Sequence, residues 1–128
     1  MLKKRLGIEG IERDWSWCYN LKNYYKTTST LFIPEGVKRI GYHAFDCYRN
    51  LREVVIPGSV KYISPCSFYY CKELEEATIP ESVEKIGYEA FYDCSEAIII
   101  LRKRREDFVL IGINAFKNCK DVKEEVRS

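Results

Sequence analysis

Apolar positions along this chain follow no single period. Leu51-x-x-Val54-x-Ile56 and Leu74-x-x-Ala77-x-Ile79 alternate apolar and polar residues just ahead of Pro57 and Pro80, which is the periodicity of a half-buried strand. Proline then ends the strand, because it fixes φ and offers no N–H to a ladder. The stretch that follows, V-x-x-I-G-x-x-A-F-x-x-C, fits neither one strand nor one long amphipathic helix. It predicts a turn back through Gly and a short helical or irregular stretch, with Ile, Ala, Phe and Cys pointing inward. Each unit is thus predicted to contain one short strand.

The pattern recurs in register. Pro34, Pro57 and Pro80 lie 23 residues apart, as do Val37, Val60 and Val83, then Ile40, Ile63 and Ile86, and then Phe45, Phe68 and Phe91. A fourth unit follows with Phe116 placed 25 residues after Phe91, two more than the period. A worn earlier unit runs through Trp15, Cys18 and Leu21 at the Phe, Cys and Leu offsets of the later copies. A 23-residue unit cannot bury its own apolar face, so neighbours must stack with their strands side by side in a parallel sheet. Four clear units and one worn one make a solenoid about 24 Å long at ~4.8 Å per strand, so both ends need caps. Trp15, Trp17, Tyr19, Tyr24 and Tyr25 suit a lid over the first coil, and the polar, helix-compatible KDVKEEVRS suits a cover for the last.

These units resemble the leucine-rich repeats of the BspA-like family over about residues 28–120. The pattern is carried by Pro34, Ile40, Gly41, Ala44 and Phe45, again by Pro80, Ile86, Gly87, Ala90, Phe91 and Cys94, and partly by the other two units. Ser64 and Pro65 replace the Gly step in the second unit, and Arg102 to Asp107 replaces the Pro turn in the fourth. The resemblance implies an α/β repeat solenoid of about four to five coils, with residues 1–27 as a degenerate capping repeat, 28–120 as the repeats and 121–128 as a polar cap or tail. It also implies a binding role, often adhesion or host interaction at microbial cell surfaces, with no enzymatic activity and no cofactor.

Bulk composition narrows the picture further. A chain of 128 residues, 46% hydrophobic and 31% charged, with a formal charge of +2, fits one globular domain and names no polyanionic partner. The N-terminus lacks the apolar run of about 7 to 15 residues of a secretory signal. As written, the chain reads as cytoplasmic, or as extracellular if it belongs to a larger exported protein. Its longest apolar run, Ala97 to Leu101, falls far short of the ~20 residues that span a bilayer. Six cysteines without a C-x2-C pair, beside a single histidine, argue against a Cys2His2 zinc site. Cys71, Cys94 and Cys119 each fall three residues after the repeat Phe, which predicts an inward column of thiols donating weakly to turn carbonyls. Cys66, off that column, is the expected exposed thiol.

Candidate chemistry is sparse. His43 occupies a turn position held by Cys66, Glu89 and Asn114 in the other units, and a column so tolerant reads as solvent-facing. No nucleophile recurs beside it, which argues against a catalytic constellation. The basic run Arg102, Lys103, Arg104 and Arg105 coincides with the insertion and reads as a solvated loop, with nucleic-acid binding as a weak alternative. The strand face carries more. Phe32, Val55 and Thr78 form its middle outward column, flanked by Thr30, Glu53 and Glu76, with Ile99 continuing the face in the fourth unit. An apolar stripe rimmed by acids suits a protein partner. The competing reading is self-association into a homo-oligomer through this face or the sheet edges.

Overall fold

The computed structural model describes residues 29–126. The predicted caps at Trp15, Trp17, Tyr19, Tyr24 and Tyr25, and the whole of residues 1–27, lie outside them. Along the chain come β1 (Thr30–Phe32), β2 (Arg39–Ile40), β3 (Glu53–Val55), β4 (Tyr62–Ile63), β5 (Glu76–Ile79), β6 (Lys85–Ile86), β7 (Ile98–Leu101), a 3-10 turn (Arg105–Asp107), β8 (Leu110–Ile111) and β9 (Asp121–Glu124). All strand pairs are parallel, in two sheets ordered β1-β3-β5-β7-β9 and β2-β4-β6-β8. The predicted solenoid is there, but each of its complete coils contributes two strands instead of one. The second strand is only two residues long, too short for alternation to register in the sequence.

Proline sets the length of the first-sheet strands. Where the repeat has Pro34, Pro57 and Pro80 no N–H is available, whereas at the equivalent positions Arg102 N–H bonds the Ile79 carbonyl at 3.1 Å and Glu125 N–H the Leu101 carbonyl at 2.9 Å. At the C-terminal end the chain departs from the expected helix-compatible tail: Asp121–Glu124 is a strand on β7. The free edge of β7 offers a row of backbone partners, and Val122 gains an inward position against the core. Together these outweigh local propensity.

The stretch left open as helical or irregular resolves into turns. Eight non-glycine residues adopt φ between 54° and 66°, in two columns: His43, Cys66, Glu89 and Asn114, and Cys47, Tyr70, Asp93 and Asn118. Around them N–H groups alternate. Ala90 and Tyr92 bond back within their own turn, to Gly87 and Glu89, while Glu89, Phe91 and Asp93 bond onward to Ile113, Ala115 and Lys117 of the next coil at 2.8–3.1 Å. Left-handed conformation costs an ordinary residue about 1–2 kcal/mol, and the inter-coil bonds that it permits offset this by satisfying backbone that would otherwise be buried unpaired. The His43 column is therefore constrained by backbone geometry, and its side chains differ in exposure. Asn114 is exposed, whereas Cys66 is buried.

The exposed-thiol expectation for Cys66 is thus corrected, and the exposed free cysteine among those described is Cys47. Cys66 sits in an interior coil between the longer His43 and Glu89 of its neighbours, and burial pushes its thiol up from the ordinary range, with Glu89 adding to the shift. The inward thiol column is as expected. Cys71, Cys94 and Cys119 donate to the carbonyls of Phe45, Phe68 and Phe91 at 3.3, 3.0 and 3.2 Å. Neighbouring Cys71 and then burial push the Cys94 thiol up, and burial pushes Cys119 up to about 12. All three thiols are packing groups, and Cys94 and Cys119 are held protonated.

The core is a column of stacked rings. Phe45 to Phe68, Phe68 to Phe91 and Phe91 to Phe116 have centroids 5.5, 5.0 and 6.0 Å apart. Beside it run Ala44, Ala90 and Ala115, with Ser67 as the one hydroxyl in that column. Ser67 is fully buried and its Oγ has no hydrogen-bond partner among the described residues. Ser67→Ala is therefore expected to stabilise the protein by about 1 kcal/mol, since a buried unsatisfied hydroxyl costs roughly 1–3 kcal/mol. A denaturant midpoint that stays put or falls would refute this.

Candidate functional site

The outer face of the five-stranded sheet presents two columns of side chains. Register pairs Thr30, Glu53, Glu76, Ile98 and Asp121 in one, and Phe32, Val55, Thr78, Ile100 and Lys123 in the other. Six of the seven residues expected on this face are there. Ile99 is not: it is fully buried, opposite Ala77 and Val122. The correction has a definite cause. Leu74-x-x-Ala77-x-Ile79 becomes Ala97-x-Ile99-x-Leu101, one residue shorter, so Glu76 pairs with Ile98 at a separation of 22 instead of 23. A one-residue slip exchanges the two faces of a strand. Because Ile98 to Leu101 is apolar at both parities, alternation carries no signal there; the shortened spacing after Ala97 was the available clue. Ile98, Ile100, Asp121 and Lys123 are the face residues missed for this reason.

Two features of the face run against fold stability. Phe32 is 64% exposed and Val55 39%, so a contiguous apolar pair stands in solvent. Glu53 and Glu76 are direct cross-strand neighbours, an arrangement that is destabilising for like charges. No ion pair joins either to a described cation. Arg52 turns instead to Glu75 at 2.8 Å and Glu73 at 3.7 Å. These acids, with Glu96, Lys72, Lys120 and the side of Ile98, border a cleft of about 550 Å³ along one margin of the face. Behind it, the hydrogen bond from Lys72 to Asp93, 2.7 Å long, holds the Asp93 carboxyl below the usual carboxylate range.

The basic run does not form a concentrated cationic surface. Arg102 pairs with Glu125 at 3.3 Å, and Arg104 pairs with Asp107 and Glu106 at 3.3 and 3.4 Å. Lys103 lies over the Phe108 ring and Arg105 over that of Phe116. Arg102 and Arg104 thus have carboxylate partners, whereas Lys103 and Arg105 lie against aromatic rings. His43 Nδ1 meets Asp46 Oδ2 at 2.9 Å within one turn. Among the described residues no group of three or more His, Cys, Asp or Glu side chains could hold a metal ion, and no helix is long and apolar enough to cross a membrane.

Comparison with known proteins agrees with this architecture. The sequence profile of the BspA type leucine rich repeat region matches residues 22–123 in six copies. The Treponema pallidum leucine rich repeat protein TpLRR superposes with a TM-score of 0.65 at 26% identity, covering 73% of this chain and 44% of that one. A leucine-rich repeat protein from Bacteroides ovatus gives a TM-score of 0.63 at 28% identity, covering 77% and 30%. The chain therefore spans less than half the length of these solved relatives. No functionally curated protein matches it. Proteins built from such repeats commonly mediate protein interactions and are typically non-enzymatic. With its profile match across most of the sequence and its parallel two-sheet coils, the chain belongs to the BspA-type leucine-rich repeat proteins.

Proposed function

We propose that this protein is a non-catalytic binding module that takes a protein partner on the outer face of its five-stranded sheet. The observation that carries the reading is the exposed apolar pair Phe32 and Val55 beside the cross-strand neighbours Glu53 and Glu76, which no cation among the described residues pairs. An aromatic anchor with an acidic border matches the anatomy of protein interfaces, in which buried apolar contacts supply affinity and a charged rim supplies selection. The partner that fits presents apolar side chains with cations alongside them. Adhesion to a host or neighbouring cell is the biological setting that this family resemblance favours. Self-association through the sheet edge is the weaker reading, because the last strand, β9, exposes Asp121, Lys123 and Glu124, and charged residues blunt an edge against further pairing.

The test is Phe32→Asp combined with Val55→Asp. Both side chains are exposed, so the thermal transition should move little while partner retention in a quantitative pull-down falls at least about tenfold, as expected for hot-spot loss. Unchanged retention by a folded double variant would sink the proposal. Sedimentation at several concentrations separates a foreign partner from a second copy: a species that stays monomeric alone needs the former.

A further inference from the structure

The spacing of the strand face constrains the shape of what can lie on it. Its strands each turn two side chains outward, one to each column: Glu53 and Val55 from β3, Glu76 and Thr78 from β5, Ile98 and Ile100 from β7. A segment laid along one strand therefore meets a single pair. Engaging Phe32, Val55 and Ile100 together requires an occupant that crosses the strands, along the solenoid axis. Neighbours within a column are one strand spacing apart, ~4.8 Å, so the three steps from Phe32 to Ile100 cover about 14 Å. An extended chain running that way presents the same side every ~6.6 Å, about 20 Å in three steps, and loses register by more than a whole coil. An α-helix presents the same side at i, i+3 or i+4 and i+7, about 4.5 or 6 Å per step at its 1.5 Å rise, or about 15 Å in three. The helix keeps step with the coils, and the extended chain does not.

Charge decides which helix. Beside the apolar row stand Glu53, Glu76 and Asp121 in one column. Glu53 and Glu76 face each other across adjacent strands, and no cation among the described residues pairs with either. One ammonium or guanidinium placed between them would answer both carboxylates and remove a repulsion that the free protein carries. We infer that the occupant of the strand face is an amphipathic basic α-helix lying along the solenoid axis, its apolar stripe on Phe32, Val55 and Ile100 and its lysine or arginine flank against Glu53 and Glu76. The inference rests on the strand-face reading and adds to it the partner's backbone form, direction and charge. Apolar anchors at i, i+3 or i+4 and i+7 are the usual mode by which a helix seats on an apolar surface. An irregular basic tail would satisfy the acids but could not hold three apolar contacts in step with the coils.

The probe is the fluorescein-labelled peptide Leu-Lys-Ala-Ala-Leu-Lys-Ala-Leu-Lys-Ala-Ala-Leu-Lys-Ala, whose leucines form one helical stripe with lysines alongside. One control carries glutamate in place of every lysine, and a second carries proline in place of the central alanine, which breaks the helix. Fluorescence anisotropy should show saturable binding of the lysine peptide that weakens with salt, at least about tenfold weaker binding of the proline peptide and none of the glutamate peptide. Circular dichroism should show the lysine peptide gaining helix on binding. Glu53→Gln with Glu76→Gln should weaken binding about tenfold while the thermal midpoint holds or rises, because the substitution relieves a like-charge contact. The two control peptides act on the wild-type protein, so the test does not depend on any variant folding. No binding at about 1 mM peptide, equal binding of either control, or wild-type affinity in the folded glutamine variant would overturn the inference. If the lysine and proline peptides bind alike and the folded Phe32→Asp, Val55→Asp variant loses both, the helix fails and the strand face stands. If that variant binds the lysine peptide like wild type, both fall.

Discussion

Phe91→Ala is expected to cost about 3–5 kcal/mol, the range for removing a large aromatic side chain from a packed core, and to lower the denaturant midpoint accordingly. Phe91 is fully buried and lies between the rings of Phe68 and Phe116. Its N–H bonds the Ala115 carbonyl and its own carbonyl accepts the Cys119 thiol of the following coil, while Phe68 N–H of the preceding coil bonds the Ala90 carbonyl and Cys94 donates to the Phe68 carbonyl, so the coil backbones on either side are fixed and cannot close over the void. The same truncation at Phe116, only partly buried at the end of the stack, should cost distinctly less. Equal losses at the two sites, or a near-neutral Phe91→Ala, would show that the rings do not form the continuous column described. In a solenoid each coil is stabilised mainly by its neighbours, so a void in the interior weakens two interfaces whereas one at the end weakens one.

Gly87→Ala should be at least as damaging as many core truncations, although it adds only a methyl group. The new Cβ would lie 2.4 Å from Pro65 N, 2.6 Å from its Cδ and 2.7 Å from its Cα. These are backbone and ring atoms with no rotamer to change, so relief requires separating two coils that are hydrogen-bonded through Gly87 N–H to the Ile63 carbonyl at 2.7 Å. Overpacking typically costs about 1–3 kcal/mol and occasionally more, and the rigid partner puts this case at the upper end, about 3 kcal/mol. Gly58→Ala is the control. Nothing lies within 4 Å of its would-be Cβ, and the reduced entropy of the unfolded chain should leave that variant unchanged or more stable by about 0.4–1 kcal/mol. Similar melting temperatures for the two variants would contradict the close approach at Gly87.

The contrast explains what a repeat glycine reveals in sequence. Its recurrence at Gly41, Gly87 and Gly112 reads as a turn. In the structure Gly87 and Gly112 permit a close stack, while the turns themselves use non-glycine residues such as Glu89 and Asn114 at positive φ. The sequence marks His43, Cys66, Glu89 and Asn114 as a turn position but carries no sign of the positive φ in either column, because four different side chains hold each of them and only the backbone is shared.

The candidate face was legible wherever the 23-residue period held. Thr30, Phe32, Glu53, Val55, Glu76 and Thr78 all project from it as alternation requires. The error at Ile99 arose where the fourth coil loses one residue before β7 and regains three before β8, which moves Leu110 to 25 residues beyond Lys85. The other sheet could not be anticipated, because its strands are two residues long.

By itself, then, the sequence determined the repeating coil, its inward residues Val, Ile, Ala, Phe and Cys, and the outward acidic and apolar columns of β1, β3 and β5. Every coil must bury the same positions, so burial prints a period on the residue types. Only the tertiary structure decided the register of β7, the pairing of β9 and the second sheet. These depend on backbone hydrogen bonds and on how closely adjacent coils approach, and neither imposes a pattern on side-chain polarity.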